Sequence, residues 1–220
     1  MHLKVPPAVV DKSSKITADQ ETYGRLMTVV RTRLITIDRM LTGKIHIPQL
    51  VFRVESVYLQ FRLVIETLYL TTIVSRRKKY TIDWPASERE YQPSVIRKYL
   101  RAQLTEHFPY PFRHRLATDG HQELEFFAAP ISEEELYSFF NQCHQYLHEP
   151  NPYKRSWEQR EVECPHLLNE AAEKARLLWQ LLENHCRVSI LENGDKAHFI
   201  CRIHPDESGP VELAHLFAEH

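Results

Sequence analysis

The sequence predicts a mainly α-helical protein, a helical bundle carrying a small C-terminal antiparallel β-meander, and three observations predict it. Apolar residues recur at the helical period through long stretches almost free of glycine, which numbers only 5 in 220 residues. From residue 185 onward the period changes to 2, the spacing of strands. A composition of 43% apolar and 26% charged residues is that of a soluble globular chain. At this length roughly two-thirds of the unfolded surface is buried on folding, so no disulfide or metal staple is required.

The elements follow in order. Thr17-x-x-Gln20 is a capping-box pattern, and Tyr23, Leu26, Met27, Val30, Leu34, Ile37 and Leu41 behind it mark one helical face until Gly43 stops the run. Pro48 suits a first helical turn. From there to Val74 the chain is apolar on most sides, which places this helix in the middle of the bundle. The cations Arg76, Arg77, Lys78 and Lys79 then complement the negative end of the helix dipole. After a loop around Trp84-Pro85, Pro93 to Glu106 reads as a shorter helix. Residues 112–130 read as a short hairpin insert turning at Asp119-Gly120. Ser132-x-x-Glu135 is a second capping box, opening a helix with Leu136, Phe139, Phe140, Cys143 and Leu147 on one face, which ends before Pro150. Pro165 is expected to begin the last helix, which buries Leu167, Leu168, Ala171, Ala175, Leu178 and Leu182. Val188 and Ile190, the Asn193-Gly194 turn, then Phe199, Cys201 and Ile203, and finally Val211, Leu213 and Phe217 form the meander. The expected organisation is a tail over 1–16, a helical bundle over 17–184 and a meander over 185–220.

Lys+Arg 28 against Asp+Glu 29 gives a net charge of −1, which excludes whole-surface attraction to nucleic acid or anionic lipid and leaves only local patches. Cys143, Cys164, Cys186 and Cys201 lack framework spacing and read as free thiols of a cytoplasmic protein. The N-terminal residues carry Lys4, Pro6, Pro7 and Asp11 and no signal-peptide core. The most apolar stretch, Leu63 to Val74, contains Glu66 and falls short of the about 20 uncharged positions of a membrane span, so no membrane association is expected.

Two features point to chemistry. Arg62 and Glu66 lie four residues apart on one face of the central helix, and Glu55 shares nearly the same face. Burying an ion costs several kcal/mol unless it is paired, so the two are either a register-fixing ion pair or the lining of a polar cleft open to an anion. The second is the helix 132–148 and its loop, Asn141-Gln-Cys143-His144-Gln-Tyr-Leu-His148-Glu-Pro-Asn151-Pro152-Tyr153.

With Phe61-Arg62 to Glu66 upstream and Leu147-His148-Glu-Pro-Asn151-Pro152 downstream, the layout resembles the HEPN superfamily. These are small helical domains that include RNA-cleaving toxins, defence nucleases and inactive nucleotide-binding relatives. It is also similar to a group of bacterial proteins that pair a Leu-x-x-Arg-x-x-x-Glu helix with a Leu-His-x-x-Asn-Pro loop. The resemblance implies a metal-independent, ribonuclease-like site in which His148 manages a proton and an Arg holds the phosphate. The position six residues before His148 is Gln142 and the next before it Asn141, so the family's Arg is absent there. Arg62 or Arg155 is expected to supply its charge, with Glu66 and Asn151 orienting. Arg39/His46, Arg101/His107, Arg115/His121 and Arg160/His166 have similar spacing without the late-helix context, and a pattern this loose matches by chance.

A metal alternative groups His144 and His148, at i and i+4, with Cys164 and His166 around zinc. Arg76, Arg77, Lys78 and Lys79 offer a local basic strip to RNA. No Gly-rich phosphate loop, Gly-x-Ser-x-Gly elbow, His-Glu-x-x-His or dinucleotide fingerprint occurs, so no cofactor is expected. The expected function is an RNA- or nucleotide-binding module, of the kind found in toxin and defence systems. The alternative is a non-enzymatic helical interaction or assembly protein, and a protein partner or homodimer is expected in either case.

Overall fold

The structure is a computed structural model that describes residues 8–11, 18–74, 93–103, 108–116, 122–147, 156–190, 196–206, 209 and 211–218. Among the described residues the five helices are α1 (Ala18–Leu41), α2 (Leu50–Val74), α3 (Pro93–Gln103), α4 (Glu133–Tyr146) and α5 (Trp157–Leu182). The six strands among them are β1 (Ala8–Asp11), β2 (Tyr110–Leu116), β3 (Gln122–Phe126), β4 (Asn184–Ile190), β5 (Lys196–Arg202) and β6 (Glu212–Ala218). The mainly α, α+β architecture is the one the periodicity implies.

α2 is the central helix. It buries Val51, Val54, Val57, Tyr58, Phe61, Val64, Ile65, Leu68 and Tyr69 against α1, α4 and α5. By length and composition it could cross a membrane, but half of its most apolar window is covered by the other elements, and here it serves as a core helix. Gly43, with φ 77°, ends the α1 region in the left-handed conformation glycine adopts without strain. Arg53 of α2 then donates to two terminal carbonyls of α1, Met40 O at 2.7 Å and Leu41 O at 2.6 Å, supplying the donors that a helix end lacks. Gly24 sits where α1 meets β6, and a Cβ there would come 3.0 Å from Leu213 Cδ1.

α4 begins at the capping box the sequence marks. Ser132 Oγ accepts from the Glu135 N–H at 3.2 Å, and Glu135 Oε2 accepts from the Ser132 N–H at 2.8 Å. The start of α5 differs from expectation: it opens at Trp157, and Pro165 lies inside it. The reason is a capping box, Ser156 with Gln159, together with a buried row, Arg160, Cys164, Leu167 and Ala171, that keeps helical phase straight through the proline. Thr17 of the box expected before α1 lies outside the described residues. Pro165 leaves the Glu161 carbonyl without its intrahelical donor, and both residues are exposed, so water can take that place. Ser156→Ala should cost about 1 kcal/mol of stability, read as a lower urea midpoint with unchanged m-value.

The strands form one antiparallel sheet in the order β1-β6-β5-β4-β2-β3. The meander β4-β5-β6 is present as expected, and so is the hairpin, with Phe112 opposite Phe126. The two are not separate, however: Tyr110 pairs with Cys186 and Pro111 with His185, so the hairpin extends the meander. Within the segment read as a tail, Ala8–Asp11 forms β1 on the outer side of β6. Phe199, Cys201 and Ile203 join the helical core, while Phe112, Cys186, Ile200 and Ala214 form a smaller cluster with Tyr110, Leu124 and Phe126.

Candidate functional site

At 100° per residue, Phe52, Glu55, Leu59, Arg62 and Glu66 fall within roughly 80° of arc on α2, a stripe that the buried face leaves at the surface. α4 runs antiparallel beside it. Glu133 at its start meets Tyr69, His144 meets Arg62, and Tyr146 near its end packs on Tyr58 with ring centroids 4.9 Å apart. The N-terminal turns of α5 close the other side.

The centre of the stripe is Arg62. Its Nε donates to Glu66 Oε1 at 2.9 Å and its Nη1 to His144 Nδ1 at 3.3 Å, and the guanidinium lies 5.9 Å from the Phe140 ring centre. Because an arginine only donates, His144 Nδ1 is the acceptor, which requires the neutral tautomer protonated at Nε2. The Arg62 and Glu66 side chains are 32% and 28% exposed. The pair is thus not the buried staple that an all-round apolar helix suggests. It lies at the rim between α2 and α4, where an ion pair is worth under about 1 kcal/mol.

A second pair lies nearer the N-terminus of α2. Arg160 Nη2 donates to Glu55 Oε1 at 2.7 Å and to the Tyr146 carbonyl at 3.5 Å, with its side chain only 7% exposed. Glu170 of α5 ties the three helices together, accepting from Gln142 Nε2 at 3.0 and 2.9 Å and from Tyr58 OH at 3.4 Å. Burial, with the Glu170 carboxylate beside it, pushes the Tyr58 phenol well above its ordinary range. Burial likewise pushes the Cys143 thiol up, so it is an inert core thiol and not a nucleophile.

Of the residues singled out in the sequence, Arg62, Glu66 and His144 come together. His148, Asn151, Arg76, Arg77, Lys78, Lys79 and Arg155 lie outside the described residues. Among the described residues no group of three or more His, Cys, Asp or Glu is placed to share a metal ion, so His144, Cys164 and His166 do not converge. Cys164 is buried with its Sγ 3.1 Å from the Arg160 carbonyl, and His166 is exposed.

Three arginines were not anticipated as structural centres. Arg160, set aside with the chance Arg/His pairs, is a buried anchor. Arg97 of α3 binds the Glu133 carboxylate through Nε at 2.6 Å and Nη2 at 3.1 Å, and stacks on Tyr137 at 4.1 Å. Arg187 of β4 is 2% exposed and donates to Thr72 Oγ1 at 2.7 Å. Beside it His185 meets Tyr23 OH at 2.6 Å through Nε2 and the Leu182 carbonyl at 2.7 Å through Nδ1. The available signal was their alternation, since His185 and Arg187 are in phase on one face of a strand whose neighbours Cys186 and Val188 are apolar. A scan of protein-family models, a search of curated proteins and a search of solved structures each gave no match.

Proposed function

We propose that this protein is a HEPN-like RNA- or nucleotide-binding module acting in the cytoplasm, with Arg62 as its phosphate contact. One observation carries the reading: Arg62 is held by Glu66 and meets His144 while about a third of its side chain remains open to solvent. A guanidinium already oriented by a carboxylate loses little further freedom when its remaining N–H groups meet a phosphate. An oriented cation beside an imidazole is the pairing that phosphodiester chemistry uses, charge for the phosphate and a ring nitrogen for a proton. In the catalytic form of the proposal His148, four residues after His144 in the sequence, is the acid or base. Glu66 and Asn151 orient, and no metal takes part.

The test is binding and cleavage of tRNA or total RNA in EDTA by the wild type, Arg62→Ala and His148→Ala. The wild type is expected to bind, Arg62→Ala to bind at least about tenfold more weakly with a salt slope lower by about one, and His148→Ala to bind normally. Cleavage lost in His148→Ala identifies the catalytic form. A wild type that neither binds nor cleaves RNA, or an Arg62→Ala variant that binds as well as the wild type, overturns the proposal.

A further inference from the structure

Phe52 of α2 and Trp157 of α5 are large aromatic side chains left 46% and 43% exposed, yet they touch each other, with ring centroids 5.7 Å apart and planes at 66°. Val54 and Tyr58 of α2 and Leu167 and Ala171 of α5 are buried in the helical core, and Phe52 and Trp157 are not part of it. Arg160, paired with Glu55, lies 5.9 Å from the Trp157 ring centre, within cation–π range. Phe52 stands on the same stripe of α2 as Arg62, ten residues and about 15 Å before it along the axis.

Along that stripe Glu55 and Leu59 lie between Phe52 and Arg62, and Glu66 follows, so charges interrupt the apolar side chains and the face lacks the continuous apolar core of a protein interface. Exposed aromatic rings in line with an oriented cation suit a single strand, whose bases stack on the rings while its backbone meets the guanidinium. We infer that Phe52 and Trp157 form a nucleobase-stacking subsite for single-stranded RNA whose backbone reaches Arg62. This rests on the reading of Arg62 as a phosphate contact.

Anisotropy titrations with a labelled short oligouridine and with an abasic ribose-phosphate strand of equal length separate the two claims. Trp157→Ala should weaken oligouridine binding at least about tenfold and leave the abasic strand unaffected, and Trp157→Phe should restore most of the loss. Phe52→Ala should act in the same direction. Arg62→Ala should weaken both strands. If Trp157→Ala and Phe52→Ala bind oligouridine as the wild type does, or lose both strands equally, the stacking subsite is overturned while the Arg62 reading stands. If the wild type binds neither strand, both fall. If Trp157→Ala converts a dimer to a monomer in light scattering with RNA binding unchanged, the face belongs to a second copy of the chain and the inference is overturned.

Discussion

Taking the protein from pH 7 to pH 4 should remove about 3 kcal/mol of folding stability through His185 alone. Its Nδ1 faces a carbonyl, which only accepts, so the proton resides on Nδ1 and Nε2 accepts from Tyr23 OH. A second proton would place an imidazolium in a fully buried site beside the Arg187 guanidinium. Burial above all, and then Arg187, drive the pKa down to about 3. In the unfolded chain the same ring titrates near 6.5. The unfolded state therefore gains a proton first on acidification. The contribution is fully present above pH 6.5 and is lost progressively as pH falls toward 3. Urea unfolding at pH 7, 5.5 and 4 measures it, beside His185→Gln, which cannot take the proton and should show a shallower decline. Parallel declines in the two proteins would contradict the assignment to His185.

Glu133→Ala should destabilise the protein by about 3–5 kcal/mol, whereas Arg62→Ala should cost less than about 1 kcal/mol. Glu133 is only 8% exposed by its side chain and accepts at once from Tyr69 OH at 2.6 Å and from two nitrogens of Arg97. Removing it strips the partly buried Arg97 guanidinium of that carboxylate and the buried Tyr69 hydroxyl of its acceptor. It also removes a negative charge from the first turn of α4. The Arg62–Glu66 pair is rim-exposed, and each partner has solvent to turn to. Denaturant unfolding of the two variants should differ severalfold in ΔΔG. Equal losses would mean that Arg62 is a structural staple and would weaken its reading as a ligand contact.

What was legible in the sequence was what local spacing encodes. The apolar run of α2 fixed its place among the helices, Ser132 and Glu135 fixed the start of α4, and the alternation after residue 185 gave the meander. The i, i+4 relation of Arg62 and Glu66 became a real contact for the same reason. Their exposure was not legible, because a helix apolar on average still turns one stripe to solvent. Pro165 misled because a proline marks a helix start only where a capping residue does not mark an earlier one, as Ser156 does. The partners of Arg160, Arg97 and Arg187, and His144 as the second partner of Arg62, lie on other helices or strands, and no periodicity links residues so far apart. Alternation in β4 distinguishes two faces but not which is buried. Here both are covered, and the polar one, with His185 and Arg187, turns toward α1 and α2.

The sheet sets an order of events in biosynthesis. Ala8 of β1 pairs with Ala218 of β6, and Tyr110 of β2 with Cys186 of β4 across two intervening helices. α1 and α2, adjacent in sequence and packed together, can dock while the chain is still being made. The strand β1, and the side of β2 that the hairpin leaves open, must instead wait for their partners until β4 to β6 emerge. Such long-range pairing is slow and exposes strand edges during synthesis, so the sheet, and not the helical bundle, limits how fast a newly made chain becomes safe from aggregation.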